Sequence, residues 1–204
     1  MQIFVKIVRH LLWRYLWFIA GARKRFFRWK AFGMAWYFRG QFVLPTNCGI
    51  AVPIIVNGKG SVVIEEGVSL GFGKAPKLGN GAILLQARES KARIVIGSKT
   101  ITSNNISIVA NQLIEIGEGC QLGDLVSIYD SDFHEINPLT RNESSGVCSP
   151  VLIGQNVWLG SRVVVLKGVQ VGNDSVIAAG SVVTKSIPAR CLAGGIPARV
   201  IREI

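Results

Sequence analysis

The chain has 204 residues, 49% of them hydrophobic, with 23 Lys and Arg against 12 Asp and Glu and a formal charge of +11. That length suits one domain with an appendage. Nine of the cations and none of the acids lie in the first 40 residues, so the basicity describes what the N-terminus meets and leaves the rest nearly neutral. Four scattered cysteines without a CxxC pair, and only two histidines, argue against a zinc cluster and for reduced thiols in a cytosolic protein.

Residues 3–20, IFVKIVRHLLWRYLWFIA, predict a helix with Lys6, Arg9, His10 and Arg14 on one side and aliphatic and aromatic residues over most of the remainder. Crossing a bilayer would carry each Lys or Arg through at about 3 kcal/mol. Arg14 interrupts the apolar run that a signal peptide needs. An interfacial helix fits better, with its apolar face in the acyl boundary and Trp13 and Trp17 at headgroup depth. Residues 22–40 interleave cations with Phe26, Phe27, Trp29, Phe32, Trp36, Tyr37 and Phe38 and predict a second, short helix. Residues 1–40 are expected to contact the inner face of the plasma membrane peripherally. Docking against the repeat domain or another subunit is the alternative. Nucleic acid, whose bases stack on aromatic side chains, is disfavoured by the apolar run of 3–20.

Residues 41–61, with Pro45 and Pro53, read as a connecting segment. From Val62 a six-residue period begins, loosely at first: Ile64, Leu70, a Gly- and Lys-rich blur over 71–83, then Leu84, Ser90, Ile96, Thr102, Ile108 and Ile114. Two residues are gained there, and the phase resumes at Ile116, Leu122, Ile128 and His134. From Ile153 to Pro188 the period is clean, with Ile153, Leu159, Val165, Val171, Ile177 and Val183 at the first position. The second position is Gly154, Gly160, Gly172 or Ala178 in four of the six hexads, which suits a sharply turning backbone, often at positive φ. No helix or half-buried strand has period six; a fixed period of this kind means stacked repeats. Roughly six or seven coils of about 18 residues follow from the length of the pattern. The interval from His134 to Ile153 is too long for the period, so residues 135–149, EINPLTRNESSGVCS, must leave the coil as a polar, turn-rich loop. A short C-terminal tail, 189–204, follows.

The hexads resemble those of the hexapeptide-repeat acyltransferases, and the segment VWLGSRVVVLKGVQVGNDSVIAAGSVVTKSIPARCLAGGIPARVIREI resembles the C-terminal signature of their sugar O-acetyltransferase branch. The resemblance implies an all-β fold, a left-handed parallel β-helix with three hexads per coil, over 62–188. The handedness comes from the family, since ordinary crossovers are right-handed.

His134 stands where the repeat calls for an aliphatic residue, beside Asp130 and Asp132 and at the exit to the loop. Spacing by two puts Asp130, Asp132 and His134 on one face of an extended segment. Neutral imidazole is the natural base near pH 7, and a carboxylate beside it fixes its tautomer. The segment DSDFH also resembles the catalytic-histidine segment of the O-acetyltransferases. His134 is therefore the expected catalytic base. Asp132 is the first choice as its orienting acid, with Asp130 and Glu135 competing for that role or for the acceptor.

The resemblance further implies acetyl-CoA as donor and no metal. Trp158, Gly160 and Ser161 match the family's VWIGS segment at the thioester end. Ala179, Thr184 and Lys185 match AGSVVTK along the donor, and Arg199 and Arg202 match PARVIR near its phosphates. Asn104 or Asn105, with Asn105 preferred, and Arg141 in the loop are expected to touch the acceptor, a saccharide and possibly a lipid-linked one. A homotrimer with sites between subunits is implied by the family. N-acylation of an amino sugar and a non-catalytic scaffold are the alternatives. A zinc carbonic anhydrase of this fold needs three histidines, and the only other one is His10.

Overall fold

The structure is a computed structural model that describes residues 21–22, 24–37, 41–76 and 78–204. The helix expected over 3–20 lies outside them. Each turn of the chain contributes three short strands. They are β1 (Phe42–Val43), β2 (Gly49–Ile50) and β3 (Ile54–Gly58) in the first coil, and β4 (Ser61–Ile64), β5 (Ser69–Leu70) and β6 (Ile83–Ala87) in the second. The third holds β7 (Arg93–Ile96), β8 (Ile101–Thr102) and β9 (Ser107–Ala110), and the fourth β10 (Leu113–Ile116), β11 (Gln121–Leu122) and β12 (Ser127–Tyr129). The fifth holds β13 (Val151–Ile153), β14 (Trp158–Leu159) and β15 (Val164–Val165), and the sixth β16 (Gln170–Val171), β17 (Val176–Ile177) and β18 (Val182–Val183).

Strands of equal rank stack in parallel, so the first, second and third strands of successive coils build sheets A, B and C of a three-sided β-helix. Its interior is filled by ladders of like residues. Ile64, Ile96, Ile116, Ile153 and Val171 pair in sheet A, and Ile108, Ile128, Val165 and Val183 in sheet C, all buried. An aliphatic every sixth residue is thus what a three-sided coil needs to fill its axis.

The register differs from the sequence expectation at three places. The coil begins at β1, so residues 41–61 are a first full coil rather than a connector. In β6 it is Ile83 and Leu85 that are buried, while Leu84 faces outward, because the Gly-rich stretch before it absorbs an odd number of residues. At the other end the chain does not leave the helix. β19 (Cys191–Gly195) extends sheet B beside β17, and β20 (Ala198–Glu203) folds back antiparallel on it.

The small second residue of each hexad also has a different cause from the one expected. Positive φ falls two residues later, at Lys99, Gly119, Asn156, Asp174 and Arg190 after sheet A and at Leu125 and Arg162 after sheet B. The hexad glycines are instead places where coils nearly touch: a Cβ on Gly117 would lie 2.6 Å from the Gly154 carbonyl oxygen, and one on Gly160 2.6 Å from the Ala179 nitrogen. Gly117→Ala should therefore cost about 2 kcal/mol through forced separation of two coils, measured by urea unfolding; a loss below a few tenths would place the glycine's role elsewhere.

A helix, α1, spans residues 24–37. Phe27, Ala31, Met34 and Ala35 recur at helical spacing and face the core at the first coil, with Ala31 buried. Arg28 Nη2 donates to the Thr46 carbonyl at 2.6 Å. The opposite face leaves Phe26, Trp29, Trp36 and Tyr37 exposed, Trp29 by 73%. The helix therefore docks on the repeat domain by one side and keeps a basic aromatic side outward. Among the described residues no helix is long and apolar enough to cross a membrane.

Candidate active site

The loop that interrupts the coil leaves from β12 and returns at β13, on the edge where sheet C passes into sheet A. Its root is tied down residue by residue. Asp130 is fully buried, and its carboxylate accepts the backbone N–H of Asn111 and Gln112 at 2.7 Å and of Leu113 at 2.8 Å. Those amides belong to the widened corner between β9 and β10, which is where the repeat gains its two extra residues. Ser131 Oγ donates to the Ser145 carbonyl at 3.0 Å and accepts from Phe133 N at 2.9 Å. The Asp132 N–H donates to the Val147 carbonyl at 3.2 Å. Phe133 has φ of 64° and stands edge-on to Tyr129 at 5.6 Å, with the Arg88 guanidinium 4.5 Å above its ring. Gly146, at φ of +67°, crosses so close that a Cβ would lie 2.3 Å from the His134 carbonyl oxygen.

This root presents His134 to solvent on a fixed backbone. The imidazole makes no hydrogen bond to any described residue. Asp130 is not an acceptor-binding group, because both its oxygens are spent on the corner below. The expected extended face of Asp130, Asp132 and His134 does not form: Asp130 is turned into the corner below, and Phe133, at φ of 64°, folds the chain between Asp132 and His134. Asp132 is paired through Oδ1 with Lys167 Nζ, and its Oδ2 is buried with no partner among the described residues. Glu135 is held by Ser144 Oγ at 2.5 Å. Arg141 is exposed in the loop, its Nη2 donating to the Ile136 carbonyl at 3.3 Å.

The expected donor residues divide between the two edges of sheet C. On the edge shared with sheet B, Ser161 and Ala179 line a cleft of about 480 Å³ with Ser103, Asp124, Arg162 and Gly180. Gly160 is buried beside it, where the next coil leaves no room for a side chain. Trp158, 54% exposed, lies on the outer face of sheet B in one row with Val176, Leu192 and Arg202. Arg199 is exposed on the same terminal strand. Thr184 and Lys185 lie on the opposite edge, with the loop: Lys185 follows Val183 as Lys167 follows Val165 one coil below.

Asn105 sits at the cleft edge, not beside His134. Its amide donates to Asp124 Oδ1 at 2.7 Å and the Pro76 carbonyl, and accepts from Leu78 N. Asn104 is buried and binds the Phe72, Ala75 and Pro76 carbonyls. Together they fasten the 71–82 segment.

Sequence reasoning missed Asp124 and Arg162 in the cleft and Lys167 behind the loop. For Lys167 a signal existed: with Lys185 it is one of two charged residues at the third position of the clean hexads. All four cysteines are free, and burial pushes the Cys48 and Cys120 thiols above their ordinary range, so neither is poised as a thiolate. Among the described residues no group of three or more His, Cys, Asp or Glu side chains is placed to hold a metal.

The structure is a three-sided β-helix carrying a histidine on a corner loop and a polar cleft along the next edge. The family model for bacterial transferase hexapeptide repeats matches residues 150–185. The galactoside O-acetyltransferase of Escherichia coli is 39% identical over 113 residues, 55% of each chain. That of Lactococcus lactis is 39% identical over 108 residues, 53% of this chain and 52% of the relative. The chain thus spans about half the length of these curated relatives. Among solved structures, a hexapeptide-repeat acetyltransferase of Vibrio cholerae in complex with acetyl-CoA is 34% identical, with a TM-score of 0.52 over 54% of this chain and 60% of that one. The polySia-specific acetyltransferase NeuO is 26% identical, with a TM-score of 0.65 over 79% of this chain and 66% of that one. The coil is the left-handed β-helix of these acetyltransferases.

Proposed function

We propose that the protein is an acetyl-CoA-dependent O-acetyltransferase that acts on a hydroxyl of a saccharide, with His134 as general base. The observation that carries this reading is His134 itself, solvent-facing and without a hydrogen bond to any described residue, on a loop root tied down through Asp130 and Ser131. The names of the relatives support acetyl transfer to sugars. In the reaction, His134 takes the acceptor hydroxyl's proton as that oxygen attacks the thioester carbonyl carbon. The tetrahedral oxyanion that forms is stabilised by backbone N–H donors, worth roughly 3–4 kcal/mol each. Its collapse breaks the C–S bond, the imidazolium returns the proton to the thiolate, and the products are the O-acetyl sugar and free CoA. Asp132 orients the imidazole. Trp158, Ser161 and Ala179 border the donor, and Arg199, Arg202, Thr184 and Lys185 meet its polar parts. Arg141 faces the acceptor.

The division of these residues between opposite edges of sheet C supports a homotrimer in which the loop edge of one subunit meets the cleft edge of the next. The test is purified full-length chain with acetyl-CoA and a panel of oligosaccharides, following thiol release. Release with hydroxyl acceptors is expected. Release only with amino sugars would replace O- by N-acylation, and none with either would remove the enzymatic reading.

The outward face of α1 and the cations of residues 1–20 support peripheral attachment at the cytoplasmic face of a membrane, with a lipid-linked glycan of surface polysaccharide assembly as acceptor. Each Lys or Arg near an anionic surface contributes about 1 kcal/mol. Deleting residues 1–20, which leaves α1 seated on the first coil, together with Trp29→Ala should abolish co-sedimentation with vesicles containing phosphatidylglycerol. Undiminished sedimentation would mean that another surface holds the membrane.

A further inference from the structure

We propose that Lys167 is a positioning residue of the site, which aims Asp132 at His134; this rests on the acetyltransfer reading above. Lys167 comes from the turn after β15, one coil beyond the segment that carries Asp132, and its ammonium grips Oδ1. Both side chains are about three-quarters buried, with relative exposures of 28% and 26%. The pair leaves Oδ2 buried without a donor. A carboxylate oxygen in that state is costly unless a proton donor arrives from somewhere. Two residues along, His134 has the complementary defect: a ring with donor capacity and no partner among the described residues.

Such bonds are commonly long in the free enzyme and tighten once substrates bind. Held at one oxygen by Lys167, Asp132 cannot turn away, and its other oxygen becomes the acceptor for the Nδ1–H of His134 when the site fills. Three other charged groups of the loop and its root are held elsewhere. Glu135 is bonded to Ser144, Arg141 to the Ile136 carbonyl, and Arg88 covers the Phe133 ring. Lys167 acts on the base through Asp132, its partner in the structure.

The experiment uses the full chain and acetyl-CoA. Lys167→Met should lower kcat by 10- to 100-fold, leave KM for acetyl-CoA within twofold and leave Tm within 3 °C, while Lys167→Arg recovers most of the rate. The double variant with Asp132→Asn should be no slower than the worse single variant, because both act on one contact; additive losses overturn the proposal. A raised KM at unchanged kcat overturns it too, and would mark Lys167 as a donor-phosphate contact. Lys99→Met, in the exposed Lys99–Glu118 pair far along the coil, serves as the unaffected control. With acetyl-CoA bound, the proton spectrum should show a downfield imidazole N–H signal, assigned by its loss in His134→Gln. It should persist in Lys167→Arg and vanish in Lys167→Met and Asp132→Asn. A chain whose melting does not shift with acetyl-CoA fails the acetyltransfer reading. One whose melting shifts, but which lacks the signal or keeps it in Lys167→Met, fails this proposal alone.

Discussion

His134→Ala is expected to lower kcat by about 10³-fold, in the middle of the range for loss of a general base and equivalent to about 4 kcal/mol of barrier. Stability should not move. The side chain is exposed and makes no hydrogen bond to the described residues, so its removal leaves neither a cavity nor an orphaned buried group. KM for acetyl-CoA should stay within twofold, because in the proposed reaction the imidazole meets the acceptor hydroxyl and not the body of the donor. Steady-state kinetics with melting curves on the same preparation make the test. A variant that keeps a third of the wild-type rate would move the base elsewhere, and one that loses activity together with 10 °C of Tm would show that His134 is structural.

Asp130→Ala is the complementary case, with a large stability effect. Its carboxylate accepts three backbone N–H groups within 2.8 Å at the corner between β9 and β10. Hydrogen bonds to a charged group are worth about 1.5–3 kcal/mol each, and stranded buried donors cost more than the bond alone. A loss of about 4 kcal/mol is therefore expected, or roughly 10 °C in Tm for a domain of this size. Asp130→Asn keeps one acceptor oxygen and should cost about half as much. Activity should fall in both variants below their melting points, because the same carboxylate holds the root of the histidine loop. Thermal unfolding decides it; a shift under 3 °C for the alanine variant would mean that water replaces the carboxylate without loss.

The repeat was readable because its physics is local. Each hexad must return one aliphatic to the axis, so Ile153 to Val183 declare the coil at fixed spacing, and the loop declares itself where that spacing fails. The first coil was not readable, because Phe42, Ile50 and Ile54 enter the axis across irregular turns that leave no period. The place of His134 followed from a broken rule. The role of Asp130 did not, because a carboxylate facing solvent and one stapled to amides 17 to 19 residues earlier look the same in a string of letters. Lys167 and Asp132 are 35 residues apart and meet only because coils stack. Contacts between coils, which the six-residue period cannot express, are where the site is assembled.

The terminal hairpin also shapes the end of the solenoid. A stack of parallel strands ends in a row of unpaired backbone groups, which is a template for another chain. Here β20 runs against the direction of every other strand in its sheet, so the upper rim of sheet B no longer offers the parallel pattern that another coil would extend. At the lower rim α1 lies over the first coil. A solenoid whose repeats could in principle continue without limit is thereby given two different ends, and its length is set by terminators at its extremes rather than by any property of the repeat.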